Sequence, residues 1–166
     1  MKLNKSLSRY KQLKRLDSLG LNGKNILKVL TDYKKMTKKQ LLKKLNLSSF
    51  IALDFETTGL SPHSDRIIEI AAIRYNDGKV TDRFVTLVNP GRHISNIITD
   101  LTGITNNMVA AAPKEKDILD KFFTFIGEHS LVAHNISFDI SFLNVLGDRF
   151  EKPEVDRSLY DTLQLA

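Results

Sequence analysis

The spacing of apolar side chains divides the chain into two unlike parts. In residues 1–47, Leu7, Tyr10, Leu13 and Leu16 step by three, and Ile26, Leu27, Leu30 and Tyr33 recur at helical intervals. Leu41, Leu42 and Leu45 do the same, and Lys and Arg fill the remaining faces. Gly20 and Gly23 mark a break, and Thr37 with Gln40 has the form of a capping box before a third segment. The pattern predicts a small helical module of about three short helices, at the lower limit of size for independent stability. The polar stretch Asn46–Ser49 is its expected boundary, dividing the chain into residues 1–48 and 49–166.

From Phe50 the period changes. Phe50–Phe55 is a short apolar run that reads as a buried strand, and 66–75 and 79–88 read as two more. Asn76-Asp77-Gly78 between them is a hairpin turn, since Asp-Gly tolerates the positive φ such turns require. Asn89-Pro90-Gly91 ends the third strand. Short helices are expected near 95–101 and 106–110, and an amphipathic one over 115–127 with Ile118, Leu119, Phe122, Phe123 and Ile126 on one side. A short buried strand at 130–133, a helix over 137–146 and the start of a last strand at 158–160 complete the order. Three strands followed by alternating helices and strands predict an α/β domain, a mixed sheet with helices packed on it.

Charge sharpens the division. The net charge is +6, but residues 1–49 hold 14 Lys/Arg against Asp17 and Asp32, while the remainder is acidic. A basic arm on an acidic body suits a nucleic-acid partner; a solvated basic helix pair that binds nothing is the plain alternative. The absence of cysteine excludes disulfides, Cys-ligated zinc and a thiol nucleophile. No apolar run reaches the roughly 18 residues of a membrane span, so a cytoplasmic protein without membrane contact is expected.

The stretch FIALDFETTGL, residues 50–60, carries candidate chemistry. Side chains two apart on a strand share a face, so Asp54 and Glu56 point the same way, roughly 6–7 Å apart. Two carboxylates held together in a partly buried place raise each other's pKa, and a hard divalent cation between them relieves the repulsion. A solvated strand end with two exposed acids is the bland reading of the same residues. Thr57, Thr58 and Gly59 then offer hydroxyls and a turn whose backbone N–H groups could meet a phosphate or a terminal nucleotide. Leu60 follows, apolar in a solvent turn: a wedge for a base, or ordinary packing.

LVAHNISFDISFL, residues 131–143, has the same character. A buried strand delivers His134 and Asn135, and Asp139 falls in the first turn or so of the next helix, where the helix dipole alone would favour an acid. Both clusters end buried strands, and between them they supply three carboxylates, the inventory of a two-metal phosphodiesterase site.

These segments, with DRIIEIAAI, LTGITNNMV and YDTLQLA in the same order, resemble the DEDD superfamily of 3′–5′ exonucleases, most of all the DnaQ-like branch of the epsilon proofreading subunit of bacterial DNA polymerase III. The resemblance covers residues 50–166. It implies a ribonuclease H-like fold and removal of nucleotides from the 3′ end of DNA or RNA, single-stranded DNA first among them. It also implies two Mg²⁺ or Mn²⁺ ions held by Asp54, Glu56 and Asp139. Thr57, Thr58, Gly59, Leu60, His134, Asn135 and Phe138 would contact the terminal nucleotide, and LTGIT, residues 101–105, would be structural.

One part of the family pattern is missing. Its third motif, a histidine followed five residues later by an aspartate, has no counterpart here: His63 and His93 precede the second motif, His129 ends a helix and His134 belongs to that motif. The resemblance therefore implies a chain cut short of its general base and last metal ligand, with weak or no activity of its own. The alternative is a catalytically silent nucleic-acid- or partner-binding module, with residues 1–48 adding the contacts.

Overall fold

The computed structural model describes residues 47–165 together with Gln40 and Lys43. The helical module expected over 1–48 lies almost wholly outside these residues. Five strands, β1 (Ser49–Thr57), β2 (Ile67–Asn76), β3 (Lys79–Leu87), β4 (Ser130–Ala133) and β5 (Leu159–Asp161), form one sheet in the order β3-β2-β1-β4-β5. The first three pair antiparallel, and β4 and β5 add in parallel. The sheet is mixed, as expected, with β1 at its centre.

Alternation on β1 decides which face is core. Ile51, Leu53 and Phe55 are buried on one side, while Ala52, Asp54 and Glu56 lie on the other. The core side is closed by helix α3 (Glu115–Ile126), whose Phe122 ring meets Phe55 at 5.7 Å and Phe84 at 5.3 Å between centroids. Helix α4 (Ile136–Arg149) adds Ile136, Ile140, Phe142, Leu143 and Leu146 to the same core. Phe125, absent from the expected apolar stripe of α3, is buried; Phe123, expected in it, is half-buried at the core's edge.

The β2–β3 hairpin closes through Asp77 and Gly78, with φ 49° and 77°, between the paired residues Asn76 and Lys79. Positive φ at both central positions matches the twist of the strands, which is why Asp-Gly stands there. Two short helices, α1 (Asn96–Thr102) and α2 (Asn106–Val109), follow. Ser95 and Thr105 cap them by accepting from Ile98 N and Met108 N. Gly103 ends α1 in the left-handed conformation at φ 76°, and Ile104 is buried with Ile68, Ile94 and Val109 in a second small cluster. Within LTGIT, Gly103 ends one helix, Thr105 caps the next and Ile104 is buried, while Leu101 is 78% exposed.

Most boundaries shift by a residue or so from the sequence expectation, and two of the shifts bear on the site. Strand β1 continues past Phe55 to Thr57, carrying Glu56 into the ladder. Helix α4 begins one residue early at Ile136, because Asn135 turns the chain with φ 60°. Asn is among the few side chains that tolerate this region. A short helix, α5 (Thr162–Leu165), follows β5 directly.

Candidate active site

The parallel ladder between β1 and β4 stops at Ala52 and Val132. Beyond it β4 has only one more residue before the chain turns at His134 and Asn135 into α4. The β1 backbone still needs acceptors on that side. Asp139, in the first turn of α4, supplies one: Phe55 N donates to its Oδ1 at 3.0 Å. This bond joins the two acidic segments that lie far apart in the sequence.

Asp139 is buried, 2% exposed, on α4, while Asp54 is exposed and Glu56 half-buried on the face of β1 away from the aromatic core. Burial is the largest influence on Asp139 and, with the charges of Asp54 and Glu56, raises its carboxyl to about 7 against the pull of the Phe55 N–H. Glu56 is raised as well, first by burial, then by Asp54 and by Glu69. The three expected acids therefore share one electrostatic field. Among the described residues no three side chains converge as ligands of a single ion; the coupling runs through charge. A set of hard oxygen donors, two of them raised by burial and then by mutual repulsion, suits a divalent cation, which would neutralise that repulsion.

Glu69 was not singled out by sequence reasoning. It stands directly opposite Glu56 in the β1–β2 ladder, so both side chains face the same way. Its signal was legible: a lone acid in the apolar run RIIEIAAI.

The remaining candidates lie in two segments, the turn that follows β1 and the β4–α4 turn. In the first, Thr57 is buried and donates from Oγ1 to Gly59 O at 2.6 Å, and Leu60 is thrown into solvent, 85% exposed. The Thr58 hydroxyl is engaged within the protein, donating to Asp65 Oδ1 at 3.2 Å and accepting from Arg66 N at 3.0 Å. In the second, His134 and Asn135 are exposed. Asn135 N donates to Asp161 Oδ1 at 2.9 Å, and Asp161 also accepts from Leu163 N at 2.9 Å. Thr162 Oγ1 lies 3.3 Å from His134 Nδ1 and donates to Ala133 O. Asp161 and Thr162, at the β5–α5 corner, thus set the turn that presents His134 and Asn135; the sequence offered them only as the start of YDTLQLA. Phe138 is half-buried, its ring 5.0 Å from Phe142.

A mixed sheet whose central strand ends in paired acids, met by a buried Asp from the next helix, defines a ribonuclease H-like nuclease domain. Residues 51–166 match the exonuclease family of the RNase T type, and the chain belongs to that family. Its members work with divalent metal ions. The chain is similar to the PolC-type DNA polymerase III of Oceanobacillus iheyensis, 45% identical over 118 residues, covering 71% of this chain and 8% of that protein. With the Bacillus subtilis PolC-type polymerase it shares 42% over 122 residues, covering 73% of this chain and 8% of the relative. The chain thus spans about a twelfth of these curated relatives' length. Among solved structures it is similar to exonuclease X in complex with a 5′-overhanging duplex DNA, at 32% identity and TM-score 0.55, over 70% of this chain and 61% of that one. It shares its fold with exonuclease I, at 23% identity and TM-score 0.64, over 71% of this chain and 30% of that one. Exonuclease I has also been seen in complex with a dA16 oligonucleotide. Among the described residues no helix is long and apolar enough to cross a membrane.

Proposed function

We propose that residues 49–166 are a metal-dependent 3′–5′ exonuclease domain acting on the 3′ end of DNA, single-stranded DNA first. The observation that carries the reading is the buried Asp139, held by Phe55 N in the field of Asp54 and Glu56. Asp54, Glu56 and Asp139 would hold two Mg²⁺ or Mn²⁺ ions. Such ions, when bound, neutralise charge at the phosphodiester and acidify water. The chain's own part is positioning. Leu60 packs on the terminal base, the Thr57–Gly59 turn meets the terminal nucleotide, and His134, Asn135 and Phe138 contact it as well. The Lys/Arg-rich stretch 1–48 would add phosphate contacts, with the salt dependence such contacts carry. The protein works in the cytoplasm.

The test uses the full chain with a 5′-labelled single-stranded oligonucleotide and Mg²⁺ or Mn²⁺, alongside Mn²⁺ binding measured by paramagnetic resonance. The expected result is Mn²⁺ binding and stepwise shortening from the 3′ end, both lost in Asp54→Ala. Mn²⁺ binding no better than in Asp54→Ala, or shortening that Asp54→Ala leaves unchanged, would overturn the reading.

A further inference from the structure

We infer that Asp65 is the positioning residue of the turn that receives the 3′-terminal nucleotide. The inference rests on the exonuclease reading above and adds to it a residue outside both acidic motifs.

The turn from Thr58 to Arg66 is folded around one carboxylate. Asp65 Oδ1 accepts from Thr58 Oγ1 at 3.2 Å, and Oδ2 accepts from Ser61 N at 3.0 Å. The Arg92 guanidinium lies 3.9 Å from Oδ1. Thr58 N donates to Arg66 O at 2.8 Å while Arg66 N donates to the Thr58 hydroxyl, so the strand ends are locked on either side of the carboxylate. Asp65 N closes a further turn onto Ser61 O at 2.7 Å. Two guanidinium groups hold the outside of the loop: Arg66 donates to Asp65 O and Arg149 to Pro62 O, each at 2.8 Å.

The same carboxylate explains Gly59. Its backbone is outside the left-handed region, so the conformation itself would admit any residue. What forbids a side chain is space: a Cβ there would lie 2.6 Å from Asp65 Cγ and 2.8 Å from Oδ1. Both atoms belong to a side chain fixed by its own hydrogen bonds, which cannot swing away cheaply. The glycine of the first motif is therefore a consequence of Asp65.

Two properties of the turn follow. The Thr58 hydroxyl is committed to Asp65 and Arg66. The N–H groups of Gly59 and Leu60 donate to no described residue, so they and the exposed Leu60 side chain are what the turn offers a ligand. A polar terminal nucleotide with a stackable base suits that pair of features. Asp65 thus acts on substrate through Thr58, Gly59 and Leu60, without touching it.

The experiment compares the full chain with Asp65→Ala and Asp65→Asn. Affinity is measured for a linear single-stranded oligonucleotide and for a circular one of the same composition, which has no 3′ end, together with Mn²⁺ binding. The expected result is about a tenfold loss of affinity for the linear form only, with circular-DNA affinity and Mn²⁺ binding within about twofold of the parent. Equal losses on both DNAs, or no loss, would overturn the inference. A second readout stands apart from substrate. Gly59→Ala should lower the urea midpoint markedly in the parent chain and little in the Asp65→Ala background; the same drop in both would overturn it. If the parent chain neither binds Mn²⁺ nor prefers the linear DNA, the exonuclease reading falls, and the Gly59–Asp65 coupling alone decides whether Asp65 builds the turn.

Discussion

Phe55 and Asp139 are 84 positions apart, yet the backbone N–H of one donates to the carboxylate of the other across 3.0 Å. Phe55 lies between Asp54 and Glu56, so whatever fixes it fixes them. The bond satisfies a β1 donor that the sheet has ceased to pair, and it draws an acid into a buried place beside two others. Fold and site meet at this contact.

Asp139→Asn separates the two roles. Asn keeps an oxygen to accept from Phe55 N but carries no charge. In the presence of a chelator the variant should be at least as stable as the parent at pH 8, because a buried charge facing two like charges has been removed. Mn²⁺ affinity and any 3′ shortening should be lost. Urea unfolding and Mn²⁺ titration read the two effects, and a large loss of metal-free stability would show that the charge itself supports the fold.

The pH dependence follows from the raised carboxyl. Asp139 titrates at about 7 in the folded chain against 3.8 as its ordinary value. Between these the folded state holds a proton that the unfolded state has released. The group's contribution is therefore fully present below about pH 4, falls as pH rises to about 7 and is flat above, on the order of 4 kcal/mol in all. Urea midpoints of parent and Asp139→Asn, both metal-free, should diverge over this window as the parent weakens. Parallel curves would contradict the assignment.

Divalent metal should reverse that weakness. Adding Mg²⁺ or Mn²⁺ at pH 7.5 should raise the Tm of the parent in proportion to the logarithm of metal concentration, and chelation should abolish the gain. The shift should vanish in Asp54→Ala and Asp139→Asn and shrink in Glu69→Gln, whose charge lies opposite Glu56. Calorimetry with each variant checks it.

Leu60→Ala and Phe122→Ala should part cleanly. Leu60 is 85% exposed and its truncation should leave the unfolding free energy from urea titration within about 0.5 kcal/mol, while weakening the preference for linear over circular DNA. Phe122 is fully buried between Phe55 and Phe84, and its truncation should cost about 3–5 kcal/mol.

Much of this was open to reading along the chain. The apolar run at 50–55 announces a buried strand, Asp77-Gly78 announces the hairpin, and the i, i+2 spacing puts Asp54 and Glu56 on one face whatever surrounds them. These are properties of a few adjacent residues, settled by backbone geometry alone. Asp65, Asp161 and Thr162 were less visible, because each acts through a partner from another segment, and Glu69, though legible as a lone acid in an apolar run, gave no sign that it faces Glu56. Nothing local to Asp65 says that its carboxylate fills the space above Gly59, and nothing local to Asp161 says that it receives Asn135 N.

By itself, then, the sequence determined the strands, the turns and the three acids on which the chemistry turns, since side-chain period and turn residues act over short distances. The tertiary structure alone decided that Asp139 reaches Phe55, that Glu69 faces Glu56 and that Asp65 shapes the turn. Those relations depend on strand order and register, set by how the whole sheet buries its apolar face.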